Sequence, residues 1–190
     1  MNEINDIRSR SHSYLAFLLG EEKFAAHVAH VNIILEIPKI TKVPRTPEYM
    51  KGVINHRGMV LPVFDLRVKM SMPENEYTTN TCILVLEIEV NNEQISIGAI
   101  VDAVKEVLEI KEENILPPPN IGTNKNEKFI YGIAKINEQF IMLLDMNKIF
   151  STQETVEIAK EMRDINLEEP VDEVKDKKSK GKKLQKSIDK

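Results

Sequence analysis

The sequence predicts an all-β protein built from two copies of one small barrel-forming unit, followed by a helix and a lysine-rich tail. Three observations carry this. Apolar segments recur in the same order in both halves of the chain. Most are short β-branched runs between turn signals, which read as strands. After Ser151 the apolar spacing changes to that of a helix.

The repeat opens with Tyr14 to Leu19 (YLAFLL), set against Cys82 to Glu87 (CILVLE). Ile34-Leu35-Glu36-Ile37 recurs as Val107-Leu108-Glu109-Ile110, 73 residues on. Met50 to Ile54 matches Ile130 to Ala134, and Val63-Phe64-Asp65-Leu66 matches Leu143-Leu144-Asp145-Met146, both 80 residues on. The seven extra residues fall in the loop from Pro117 to Lys128, rich in Pro, Gly and Asn, where insertions are tolerated.

Each unit then holds about five strands. They are expected at 14–19, 23–29, 31–37, 50–56 and 59–64, and again at 82–90, 93–101, 104–110, 129–136 and 139–145. Closure into two tandem five-stranded barrels removes exposed edges. Gly52 and Gly132 suit a tight bend in the fourth strand of each unit. Asp65 is placed to cap one helical turn over 65–70, and Asp145 holds the matching position. Ser151-Thr152-Gln153-Glu154 fits a capping box, with Ile158, Met162 and Ile165 on one helical face. The expected organisation is a flexible stretch over 1–13, barrel units over 14–70 and 71–150, a helix over 151–166, and a disordered charged tail over 167–190.

Charge is divided unevenly. The 190 residues carry −4 overall, but the stretch from Lys175 to Lys190 holds eight Lys and two Asp, a local +6. Residues 1–174 therefore carry −10. An acidic, aromatic-poor body disfavours nucleic acid as a partner, since phosphate recognition needs a basic face with stacking rings. The tail alone could touch an anionic surface. Cys82, the single cysteine, excludes an intrachain disulfide and sits in an apolar run as a small hydrophobe. The first residues lack a signal-peptide core, and no apolar run reaches membrane-spanning length, so a cytoplasmic protein is expected.

No catalytic constellation emerges. The chain has no nucleotide-binding G-x-x-x-x-G-K-[ST] loop and no G-x-S-x-G elbow. His27 and His30 invite a zinc reading, but residues three apart on a strand face opposite ways, and no further ligands join them. No enzyme activity, cofactor or metal is expected. The remaining rivals are a small enzyme with a deep pocket and a nucleic-acid-binding pair of barrels.

The informative feature is where the copies differ. The second unit reads Gly132-Ile-Ala-Lys-Ile-Asn137-Glu138, an ordinary hairpin. The first reads Gly52-Val-Ile-Asn55-His56-Arg57-Gly58. A guanidinium leaving a tight turn suits a carboxylate partner, and Glu36 is the expected one. The stretch MKGVINHRGMVLPVFDLR, from Met50 to Arg67, resembles the CheW family of chemotaxis adaptors, whose pattern is roughly G-x-x-N-L-R-G-x-x-x-P-V-x-D-L-R. Gly52, Asn55, Arg57, Gly58, Pro62, Val63, Asp65, Leu66 and Arg67 supply it, and His56 departs where the family has Leu. The resemblance extends from Tyr14 to Phe150. It implies two SH3-like barrels and a non-catalytic adaptor coupling the cytoplasmic tips of transmembrane chemoreceptors to the histidine kinase CheA. It also implies receptor contacts at Ile34, Glu36, Gly52, Val53, Asn55 and Arg57, with kinase contacts on barrel ends that remain unassigned to residues. A CheV-type module of the same family would need an attached receiver domain, for which the 40 residues after Phe150 are too few.

Overall fold

The computed structural model describes residues 12–118 and 129–165, with side chains to Met162. The expected flexible N-terminus to residue 11, most of the Pro117–Lys128 loop, the side chain of Ile165 and the lysine-rich tail lie outside the described residues. Eleven strands form among those described. They are β1 (Ser13–Leu19), β2 (Glu22–His27), β3 (Val31–Glu36), β4 (Met50–His56), β5 (Met59–Asp65), β6 (Cys82–Val90), β7 (Glu93–Val101), β8 (Ala103–Glu109), β9 (Ile115–Leu116), β10 (Ile130–Ile136) and β11 (Gln139–Leu144). The helices are α1 (Leu66–Lys69), α2 (Met146–Phe150) and α3 (Gln153–Ile165). Ten strands stand where the sequence placed them, within two residues at either end. β9 was missed because two residues are too short to show an alternation.

The strands form two curled mixed sheets, in the orders β8-β1-β2-β11-β10-β9 and β3-β6-β7-β5-β4. Each sheet draws strands from both halves of the chain. The split into one unit over 14–70 and another over 71–150 therefore does not describe the strand pairing. The first hairpin of each half pairs with the third strand of the other, β1 with β8 and β6 with β3. The last strand of each half lies parallel to the second strand of the other. In these pairs Leu143 faces Ala25 just as Val63 faces Gly98. The duplication is real, but its copies exchange strands. The pairing also corrects the repeat register by one residue. Glu36 faces Cys82 and Glu109 faces Ser13, so Ser13, not Tyr14, corresponds to Cys82.

Alternation along the strands explains their near-continuous apolar runs, because both faces are buried. Tyr14 and Ala16 point into the six-stranded barrel with Ile141 and Leu143. Leu15, Phe17 and Leu19 point the other way, between the barrels. On β6, Ile83 and Val85 fill the five-stranded barrel while Leu84, Leu86 and Ile88 join the shared core. Phe64, Leu66, Ile149 and Phe150 complete that middle layer. Cys82 is half-buried against the same layer, and burial pushes its thiol pKa up, which fits a packing role.

Polar anchors fix the corners. Asp65 accepts backbone hydrogen bonds from Arg67 N (3.0 Å) and Val68 N (3.4 Å), and so caps α1. Asp145 caps α2 through Lys148 N at 3.1 Å. The expected capping box at α3 does not form. Ser151 Oγ donates to Lys148 O instead, and Glu154 accepts from the Tyr49 hydroxyl at 2.5 Å. The glycines of the fourth strands answer to crowding. A Cβ on Gly52, at φ 139°, would stand 2.1 Å from Thr41 O, and one on Gly132 would stand 2.3 Å from Ile115 Cγ2. A neighbouring segment crosses each glycine, and both pairs carry a bulge at the same place.

Arg67 is fully buried. Its Nε and Nη2 meet Asp65 Oδ1 (3.2 Å) and Oδ2 (3.0 Å), and Nη1 meets Asp102 Oδ1 at 2.6 Å. Asp102 Oδ2 in turn accepts from Gly20 N at 2.6 Å. Burial works against the guanidinium charge, but bonds and charge from Asp65, with the charge of Asp102, more than offset it and hold its pKa above the ordinary value. Replacing Arg67 with Ala strands Asp65 in the interior, an imbalance that costs about 3–5 kcal/mol. Urea denaturation of Arg67→Ala is expected to show that loss; a change below about 1 kcal/mol would mean the carboxylates find other partners. The glycines give a paired expectation. Gly52→Ala meets backbone and loses at least about 2 kcal/mol. Gly58→Ala, in open space at φ 83°, loses only about 1 kcal/mol. Equal midpoints for the two variants would contradict the crowding at Gly52.

Candidate functional site

The β4–β5 hairpin turns on Arg57 and Gly58, with φ of 55° and 83°. The corresponding turn of β10–β11 uses Asn137 and Glu138 at 47° and 64°. The backbone shape is therefore shared, and the side chains make the difference. Asn55 Oδ1 accepts from Gly58 N at 2.9 Å, which braces the turn from inside. In the other barrel that place belongs to Lys135, which pairs outward with Glu138 at 2.9 Å. Arg57 stands exposed, with no hydrogen bond or ion pair among the described residues.

The expected Glu36–Arg57 pair does not form. The sheet order puts β3 and β4 on opposite edges, and barrel closure brings the start of β3 to the Arg57 turn. Glu36 ends β3 and faces Cys82, at the far end of the barrel. The two side chains lie about a strand length apart.

At the Arg57 end lies a cavity of about 180 Å³. Met59, Pro62, Val85 and Ala159 give it apolar walls, and His56 and Arg57 stand at its rim. Glu87 also lines it, but accepts from Ser96 Oγ (2.7 Å) and Asn32 Nδ2 (3.4 Å). His56, the departure from the family pattern, thus sits at the rim of this socket. Of the six residues expected at a receptor site, Ile34 is 44% exposed on the outer stripe of β3, with Asn32 and Glu36 beside it. Val53 is half-buried and Asn55 exposed on β4. Gly52 is buried under Thr41 and offers no surface of its own.

His27 and His30 also depart from expectation. β2 ends at His27 and a 3₁₀ turn (Val28–His30) follows, so the rings do not face opposite ways; they meet edge to face at 6.4 Å. His27 Nδ1 accepts from Ala29 N, and His30 Nδ1 lies 3.3 Å from Glu87 O. Among the described residues no group of three metal-ligating side chains comes together.

The six-stranded barrel carries a second exposed face. Leu116, Tyr131 and Phe140 are 52%, 36% and 61% exposed on adjacent strands β9, β10 and β11. The matching places on the five-stranded barrel are Thr41, Lys51 and half-buried Val60. Comparing the copies in this direction, second against first, would have marked this patch.

A family model described as the CheW-like domain matches residues 13–154. The chain belongs to the CheW-like family. A chemotaxis protein CheW of Klebsiella aerogenes is 33% identical over 141 residues, covering 74% of this chain and 82% of that protein. A probable chemotaxis protein CheW of Rhizobium etli is 30% identical over 152 residues, covering 80% and 96%. The crystal structure of the scaffolding protein TtCheW from Thermoanaerobacter tengcongensis superposes with a TM-score of 0.65 at 31% identity, covering 75% of this chain and 94% of that one. This CheW-like protein is accordingly a non-catalytic chemotaxis scaffold with the two-barrel fold. Among the described residues no helix is long and apolar enough to cross a membrane.

The C-terminal helix that walls the socket is held by Lys69. Its Nζ donates to Thr152 Oγ1 (3.1 Å) and Thr155 Oγ1 (3.0 Å) and lies 3.8 Å from the centre of the Tyr49 ring. Burial outweighs the charge of Glu154 and lowers the Lys69 pKa to about 8 from 10.5. Between those values the unfolded chain holds a proton that the folded chain has released, so Lys69 contributes stability that rises with pH. Urea denaturation of wild type and Lys69→Met at pH 7.5 and pH 10 is expected to show the difference moving in favour of wild type at the higher pH. Movement the other way would mean the charged form is the one the fold prefers.

Proposed function

We propose that this scaffold couples the cytoplasmic signalling tips of transmembrane chemoreceptors to the histidine kinase CheA, working at receptor arrays that it joins through these partners. The observation that carries the reading is the exposed Arg57, unpaired among the described residues, on a braced turn beside an apolar-walled socket, where the matching turn of the other barrel carries Asn137. Arg supplies five donors in a planar fork, which suits a carboxylate on a helical receptor tip. Ile34 supplies exposed apolar area on the same barrel, and Val53 and Asn55 flank the turn. Gly52 acts through the backbone it lets pass, and Glu36 extends the surface toward the far end of β3. The kinase contact falls to the opposite barrel, where Leu116, Tyr131 and Phe140 form an exposed apolar cluster of the kind that anchors protein interfaces.

The test is a pull-down with a receptor signalling-tip fragment and CheA, comparing wild type, Arg57→Ala and Phe140→Ser. Arg57→Ala is expected to lose receptor binding by about tenfold or more while keeping the kinase. Phe140→Ser is expected to do the reverse. Arg57 is exposed, so its variant should melt with wild type. Loss of both partners by Arg57→Ala would make the turn a structural element and remove the assignment.

A further inference from the structure

The Arg57 socket has an apolar wall, an unpaired cation at its rim and one acid that is already engaged. α3 runs past it. Its first turn touches Tyr49 and Lys69, at the Asp65 end of β5. Further along, Ala159 walls the socket beside Met59, at the other end of β5. The helix therefore runs antiparallel to β5 and delivers the following chain to the side of the Arg57 turn. Ile165 lies six residues beyond Ala159, about 9 Å along the axis. Three or four extended residues retrace that length.

The chain that follows has the chemistry the socket lacks. Residues 167–174 read Leu-Glu-Glu-Pro-Val-Asp-Glu-Val, with two adjacent pairs of carboxylates set between apolar residues. Pro170 cannot continue a helix and biases Glu169 toward extended backbone. The basic stretch begins only at Lys175, so the acids come to the rim first. A tether this short gives an effective concentration in the millimolar range, enough for a weak contact to be populated.

We propose that residues 167–174 dock on the Arg57 socket in the free protein, with carboxylates on Arg57 and apolar residues over Met59. Resting on the receptor-facing reading of this face, the docked segment is an internal competitor of the receptor tip. A partner must displace it, and the lysine-rich residues beyond it leave with it.

The test uses the full chain and a full-length variant carrying E168Q, E169Q, D172N and E173Q, all outside the described fold. Amide NMR spectra of the two are compared at residues 55–59. The docked segment predicts that these amides move in the neutral variant, move likewise when salt is raised on wild type, and no longer respond to neutralisation in an Arg57→Ala background. Unchanged amides at 55–59 overturn the proposal. A receptor-tip fragment is expected to bind the neutral variant about two- to fivefold more tightly. Amides that move while tip affinity stays constant support the docking and count against the receptor reading instead.

Discussion

Arg67 is the tie on which the arrangement of the two barrels depends. It leaves the corner between β5 and α1, and its guanidinium meets Asp65 on that corner and Asp102 between β7 and β8. Through Asp102 it reaches the β1–β2 hairpin at Gly20. One side chain thereby joins parts of both sheets inside a layer of Phe, Leu and Ile. A buried ion pair of this kind adds little net stability, since desolvation cancels much of the attraction. What it bears on is geometry, because a docking that parted Asp102 from Arg67 would leave one end of a buried guanidinium without its partner. The second half solves the same corner without charge. Asn147 stands where Arg67 stands, and its Oδ1 accepts from Glu89 N at 2.9 Å, the position matching Gly20.

The exchange of strands between halves has the same logic. Neither half could bury both faces of its first hairpin alone. By trading the third strand and the final hairpin, each half covers one face in a barrel and turns the other to a common middle layer. This accounts for strands that read as continuous apolar runs where a free-standing barrel would show alternation. It also couples the faces that matter for binding. The Arg57 turn is borne on β4 and β5, and β5 lies parallel to β7 of the other half. The α3 helix that walls its socket is clamped by Lys69 on the α1 corner.

The two barrels share a backbone plan and differ in side chains, and the differences are what bind. The Asn55-His56-Arg57-Gly58 turn was legible because subtracting one copy from the other isolates it. The same subtraction would have found Leu116, Tyr131 and Phe140, and also Asp102, which stands where the first half has Ala29. The subtraction marks a difference but does not say whether the residue is exposed or buried. An exposed Phe and a core Phe are written alike. The Glu36–Arg57 pair fails for a related reason. Chain order suggests that the two are near, whereas barrel closure sets which strand ends meet.

What the sequence determined by itself was local. Turn residues, strand lengths and the caps at Asp65 and Asp145 follow from short-range propensity and spacing, which each residue carries wherever it sits, and the duplication follows from matching one half of the chain to the other. The tertiary structure alone decided which strands pair, because hydrophobic alternation says that a face is buried and not against what. It alone decided that Gly52 lies beneath Thr41, that Arg67 is interior, that His27 and His30 turn toward each other, and that α3 runs back to the Arg57 turn. Each of these depends on contacts between residues far apart in the chain, and such contacts are fixed only when the whole set of buried faces and buried charges is satisfied at once.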